Sequence, residues 1–280
     1  MITTIDSRLL HQLSVHTRKL GIKRTMQSMG YERCAELPLV ASRLERKFGL
    51  KLRHLDIGSG EGVFPTYLLK NTKWDITCVD KSSSVQKQEV YAHRIMKGVD
   101  CADRFHVVEA DLLALDLPPR SFDVITNISV IEHFEADKDS IAMEKSAKLL
   151  KVGGTYIFTT LMNDQHPKEF FVERNVYGQN YGSKPIFFQR HYDVASLNHR
   201  LIKPTGLLEK ERVYFGDYGA QFFEHFIDIE WPWKAVKIAY QWLTPFFARR
   251  FLTYRDSPVE NAEMRMHTAS GVIVFLERGS

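Results

Sequence analysis

The sequence predicts an α/β fold built on a mostly parallel sheet with helices on both faces. Three observations carry this. From residue 52 onward short apolar runs alternate with helical segments, the runs are continuously apolar rather than alternating, and a glycine-rich turn follows the first of them. Strands covered on both faces read as unbroken Val/Ile/Leu runs, as a parallel sheet between helical layers requires. With 280 residues, 44% of them apolar and 26% charged, the chain can bury a sizeable core.

The elements follow in order. Residues 1–50 read as an N-terminal helical cap: Ile5, Leu9, Leu13 and Leu20 fall near one face, and 39–48 form a second amphipathic stretch ending at Gly49. Strands are expected at 52–57, 76–79, 105–108, 124–127 and 155–160, with helices near 65–70, 84–96 and 140–150. Gly153 and Gly154 mark the turn from the last of these helices into its strand. Residues 161–190 show no period and read as a long loop, of the kind that usually serves function. A helix at 193–201 and a strand at 207–215 follow. Next comes an aromatic-rich insertion, 216–267, and then a last strand at 271–277. The domain spans 51–280, with the insertions 161–190 and 216–267 expected to form a lid.

Several classes are excluded early. Cys34, Cys78 and Cys101 lie far apart with no CxxC pair, so neither a zinc ribbon nor a redox dithiol is indicated, and a reducing cytoplasm fits. No apolar run precedes a small-residue cleavage site, and none is long enough to span a bilayer. The expected localisation is cytoplasmic, peripheral to a membrane at most. A net charge of +4 is too mild to mark a nucleic-acid binder.

The central motif is Asp56-Ile57-Gly58-Ser59-Gly60-Glu61-Gly62, between a strand and a helix. Glycines let the chain turn tightly and let a ligand approach the backbone, and the following helix start offers N–H groups to an anion. Alone, this says only that a nucleotide cofactor is bound. A dinucleotide fingerprint needs G-x-G-x-x-G, but position 63 is valine, so that register fails. Asp80 ends the second strand, where a carboxylate can accept both ribose hydroxyls. Asp111, or Asp116 nearby, is placed to accept from an adenine amino group. Glu61 reads as a solvated acid at the start of the helix.

With Ser121-Phe122-Asp123-Val124-Ile125, Asn127 and the run 130–134 (Val-Ile-Glu-His-Phe) added, the chain resembles the small-molecule branch of class I S-adenosylmethionine-dependent methyltransferases. The resemblance spans about 52–215 plus the final strand. It implies a Rossmann-like, seven-stranded sheet whose last strand inserts antiparallel, and S-adenosylmethionine as cofactor. By matched positions it implies cofactor contacts from Asp56, Gly58, Gly60, Asp80, Asp111 and Asn127. Ser59, Lys81, Ala110 and Leu112 flank these and complete the expected set.

Methyl transfer from a sulfonium is a direct displacement that gains from positioning, and a hydroxyl acceptor gains further from a general base. His133, after the fourth strand, is the first candidate base, with His191, Tyr192 and His166 around the long loop behind it. Asn127-Ile128-Ser129-Val130 stands where base-directed amino methyltransferases carry Asn/Asp-Pro-Pro-Tyr/Phe, which disfavours a flipped-base substrate. No histidine–carboxylate spacing suggests a metal. The expected acceptor is a small or amphiphilic molecule methylated at oxygen.

Residues 231–255 contain no acid, five basic residues and three of the four tryptophans. Lys234, Lys237 and Gln241 share one helical side, Trp233, Val236, Tyr240 and Leu243 another, with Pro232 suited to the start and Pro245 to a kink or end. This stretch reads as a lid, a membrane-surface helix or a dimer contact. A nicotinamide-dependent oxidoreductase, a nucleic-acid or protein methyltransferase and a non-catalytic binding module of the same fold are the rival readings.

Overall fold

The computed structural model describes residues 3–163, 166–173, 185–217, 234–258 and 270–279. A two-residue strand, β1 (Thr3–Thr4), precedes α1 (Ser7–Lys19), α2 (Ile22–Gln27) and α3 (Arg33–Leu44). Asp6 caps α1, its carboxylate accepting from the backbone N–H of Arg8 and Leu9, and the helix buries Leu9, Leu10 and Leu13.

The alternating pattern becomes β2 (Arg53–Ile57), α4 (Phe64–Asn71), β3 (Asp75–Asp80), α5 (Lys87–Ile95), β4 (Phe105–Glu109), β5 (Phe122–Ile128), α6 (Lys138–Leu149) and β6 (Leu150–Leu161). All five expected strands form, each within a few residues of its predicted bounds except β6, which begins earlier, at Leu150. The last part holds β7 (Lys168–Val172), β8 (Ile186–His191), the short α7 (Val194–Ser196) running into a wide π turn at Leu197–Ile202, β9 (Leu208–Asp217), α8 (Lys234–Phe251), β10 (Leu252–Arg255) and β11 (Ser270–Glu277).

The main sheet has the order β1-β10-β9-β11-β6-β5-β2-β3-β4. Strands β4, β3, β2, β5 and β6 are mutually parallel, and β11 inserts antiparallel between β6 and β9, with Ile273 opposite Thr159 on one side and Val213 on the other. The expected seven strands are all there, but the sheet has nine. β9 would otherwise present an open edge of unpaired backbone groups, and β10 and then β1 close it antiparallel.

Two local expectations are corrected. Residues 161–190 are not a structureless loop: β7 and β8 pair as an antiparallel hairpin, Phe170 opposite Gln189. Their aromatic runs are too short and too broken by polar residues to show a period. Of the two roles expected of Pro245, a kink or an end, the end does not occur: α8 continues through it to Phe251. The one backbone bond proline forfeits is offset by burial of Thr244 and Ala248, at a site where α8 packs on α1, α2 and α3. Within the insertion 216–267, residues 218–233 and 259–269 lie outside the described residues, as do the side chains of 234–241. The expected division of Lys234 and Lys237 from Trp233, Val236 and Tyr240 therefore falls outside them.

One apolar cluster runs from Leu9, Leu13 and Leu20 of the N-terminal helices through Leu68, Trp74 and Ile76 to Phe215 and Ile273. A second lies on the other face of the sheet, around Ile125, Met143, Phe158 and Tyr192. Among the described residues no helix is long and apolar enough to cross a membrane.

Candidate active site

The carboxyl ends of β2, β3, β4 and β5 converge on a cavity of about 730 Å³. This is the edge where open α/β sheets bind ligands. Gly58 (φ 71°) and Gly60 (φ 39°) turn the chain back from β2 in the left-handed region that favours glycine. The turn is held from below: Gly58 and Ser59 donate backbone N–H to the Val79 carbonyl, at 2.7 and 3.1 Å, and the Gln88 side chain donates to the carbonyls of Gly60 and Gly62.

Asp80 faces this turn. Its Oδ2 accepts from the Gly60 N–H at 3.0 Å and its Oδ1 from the Ser82 N–H at 2.8 Å. Burial raises its pKa despite those bonds. One bond per oxygen fixes the carboxylate in the cavity wall, and each oxygen keeps the capacity to accept a second. Asp56 also lines the cavity, but its Oδ1 accepts from the Thr126 hydroxyl at 2.5 Å. Burial pushes its carboxyl up to about 6, against the hydrogen bonds from Thr126 and Ser59.

Gly58, Ser59, Gly60, Lys81, Ala110, Asp111 and Leu112 all line the cavity. Asp111 is exposed, its Oδ1 accepting from the Leu113 N–H at 2.8 Å. Asn127 is fully buried and is not in the wall; its neighbours Ile128 and Ser129 are.

Of the candidate bases, His133 is in the wall. Its Nδ1 lies 2.7 Å from the Phe188 carbonyl oxygen. A carbonyl can only accept, so Nδ1 carries the proton and Nε2 carries the lone pair. Burial lowers the pKa to about 4, against the carbonyl, which favours the cation. His191 and Tyr192 are buried away from the cavity: His191 stacks near Phe170 and pairs with Gln189, and the Tyr192 hydroxyl donates to Asp139 at 2.9 Å. His166 is exposed and outside the wall.

Two parts of the wall come from the expected cap (1–50) and from the insertion 161–190, but from residues the sequence reading did not name. One is α2, which contributes Lys23, Arg24 and Gln27, with Arg33 at the start of α3. Glu61 is not merely solvated: it accepts from Lys23 at 3.1 Å and from the Tyr91 hydroxyl at 3.0 Å, tying α2 to the glycine turn. Arg33 donates to the Ser129 hydroxyl at 2.5 Å and pairs with the fully buried Glu36. Glu36 also accepts from Ser129 and Thr159, at 2.7 and 2.6 Å. This network holds Ser129, whose φ of 48° is unusual for a residue other than glycine, at the end of β5.

The other is the hairpin, which contributes Val172, Ile186, Phe187 and Phe188. It is anchored by Arg190, which donates to Asp139 at 2.6 Å and pairs with Glu169. The fully buried Asp139 accepts from Arg200 as well, at 2.7 Å. Among the described residues, none from the insertion 216–267 lines the cavity.

Comparison with known proteins bears on this arrangement. Residues 55–158 match a family model described as a methyltransferase domain. A curated relative, sarcosine/dimethylglycine N-methyltransferase of Aphanothece halophytica, is 28% identical over 119 residues, 42% of this chain; the match spans 41% of the relative's length. Two solved structures share the fold at 12% identity. One is 1,6-didemethyltoxoflavin-N1-methyltransferase of Burkholderia thailandensis, bound to that compound and S-adenosylhomocysteine, with a TM-score of 0.54 over 100% of this chain and 95% of that one. The other is a methyltransferase of Methanosarcina mazei, with a TM-score of 0.53 over 84% of this chain and 97% of that one. The glycine turn without a dinucleotide register, the Asp80 carboxylate facing it and the strand order agree with the family model over residues 55–158: the chain carries a methyltransferase domain and is similar in fold to S-adenosylmethionine-dependent methyltransferases.

Proposed function

We propose that the protein transfers a methyl group from S-adenosylmethionine to a small acceptor, with His133 receiving the acceptor's proton. The observation that carries this is the place of His133 in a cavity wall that also holds the glycine turn and Asp80, with Nδ1 on the Phe188 carbonyl so that Nε2 is the proton-accepting nitrogen. Bound S-adenosylmethionine supplies an electrophilic methyl group on a sulfonium. The acceptor's lone pair forms the new bond to carbon as the sulfur–carbon bond breaks, and the acceptor's proton passes to Nε2.

On this reading Asp80 holds the ribose, Asp111 and Leu112 border the adenine, and Asp56, Gly58, Ser59, Gly60, Lys81 and Ala110 shape the rest of the cofactor site. Asn127 serves from behind, as a buried residue at the end of β5. Residues 1–50 act as cap, and the hairpin within 161–190 takes the lid role, placing Phe187 and Phe188 over the acceptor side. The aromatic character of that side suits a small or amphiphilic acceptor.

The acceptor atom we read is oxygen, because a hydroxyl gains most from a neutral base. Nitrogen is the second reading, favoured by the curated relative, an N-methyltransferase acting on sarcosine and dimethylglycine. Incubation with methyl-labelled S-adenosylmethionine and separate pools of small hydroxyl and amine compounds tests both. Label in the hydroxyl pool, abolished in His133→Gln, supports the first reading, and label in the amine pool alone replaces it with the second. Cofactor binding without transfer to either pool would contradict the proposed activity.

A further inference from the structure

The basic residues of this chain are segregated. Residues 7–31 and 231–255 hold ten of the thirty-eight basic residues and none of the thirty-four acidic ones, leaving the rest with twenty-eight against thirty-four. Far apart in sequence, the two stretches meet in the fold, where α8 packs on α1 and α2. The Arg18 guanidinium lies 4.9 Å from the centroid of the Trp242 ring and bridges them.

The same surface is apolar where the fold gives no reason for it to be. Ile22 is 82% exposed and Met26 47%, one turn apart on α2. On α8, Trp242, Leu243 and Phe246 are exposed, Phe246 at 67%. Arg18, Lys19, Arg249 and Arg250 border them, all exposed. Single exposed apolar residues are ordinary, but five on two packed helices, with four exposed cations on the same helices and on α1, form a patch.

We propose that this α2–α8 face docks on an anionic lipid surface, with the side chains of Ile22, Met26, Trp242 and Phe246 at the interface and the basic rim on the headgroups. Charge complementarity selects this occupant: a second copy would set two acid-free faces against each other, whereas an anionic bilayer offers an apolar layer beneath negative charge. The helix that faces lipid with Ile22 and Met26 lines the cavity with Lys23 and Arg24. Docking therefore sets the cavity wall beside the membrane, where an amphiphilic acceptor resides.

Co-sedimentation of the full chain with vesicles tests this. Binding is expected to vesicles of phosphatidylcholine with phosphatidylserine, to weaken with salt, and to be absent with phosphatidylcholine alone. Arg249→Glu/Arg250→Glu and Trp242→Ser/Phe246→Ser should each reduce it about tenfold or more, while thermal melting and S-adenosylmethionine binding stay as in wild type. No binding to anionic vesicles at low salt would overturn the proposal. So would equal binding by both variants, or a wild-type dimer that both variants convert to monomer. Because cofactor binding is read separately, failure here leaves the methyltransferase reading standing.

Discussion

His133 sits where two opposing influences can be weighed. Burial disfavours the imidazolium and the Phe188 carbonyl favours it; burial wins, and the group is held near 4. The neutral imidazole is thus present from alkaline pH down to about 4 and is lost only below it. The acid limb of kcat/KM is expected near pH 4, and a limb near 6.5, the value of an unperturbed histidine, would contradict this. His133→Gln keeps a donor toward Phe188 but has no proton acceptor of comparable basicity; kcat should fall ~100-fold or more with cofactor affinity unchanged. Steady-state kinetics together with cofactor titration separates the two effects.

At the scale of elements, the hairpin β7–β8 depends on one buried ion-pair cluster. Asp139 is fully buried and Arg190 nearly so, and Arg190 lies two residues from Phe188 on the same strand. Removing one member of a buried pair costs ~3–5 kcal/mol when the other charge is left alone; with Arg200 and the Tyr192 hydroxyl still on Asp139, the cost here should be about 2 kcal/mol. Arg190→Leu should lower urea-unfolding stability by about that much and speed amide exchange through 168–191. A loss under about 1 kcal/mol would show that the cluster does not anchor the hairpin.

This element also marks where the sequence stopped being readable. The glycine turn, Asp80 and the parallel strands were legible because their signals are local: a turn, a strand end, an apolar run. The Arg33–Ser129 and Arg190–Asp139 contacts join residues 96 and 51 positions apart and leave no local trace. Neither the hairpin nor the α2 wall of the cavity announced itself for that reason. His191 and Tyr192 were attractive by residue type and proximity to the long loop, but strand pairing turned them into the core beside Asp139.

Over the whole molecule, the N-terminal helices and the sheet share one apolar cluster, in which Leu13 and Trp74 both take part and both are fully buried. Leu13→Ala should cost ~2–5 kcal/mol and shift a single cooperative unfolding transition. A separate early transition would show instead that residues 1–50 unfold independently of the sheet.

All of these elements serve one cavity, and the central claim is that it binds S-adenosylmethionine through Asp80. Calorimetric titration of wild type and Asp80→Ala with S-adenosylmethionine and with NAD tests that claim most directly. The account predicts S-adenosylmethionine binding without NAD binding in wild type, and affinity lowered ~100-fold in Asp80→Ala as two hydrogen bonds to a charged acceptor are lost. NAD binding in place of S-adenosylmethionine, or equal S-adenosylmethionine affinity in the two proteins, would contradict it.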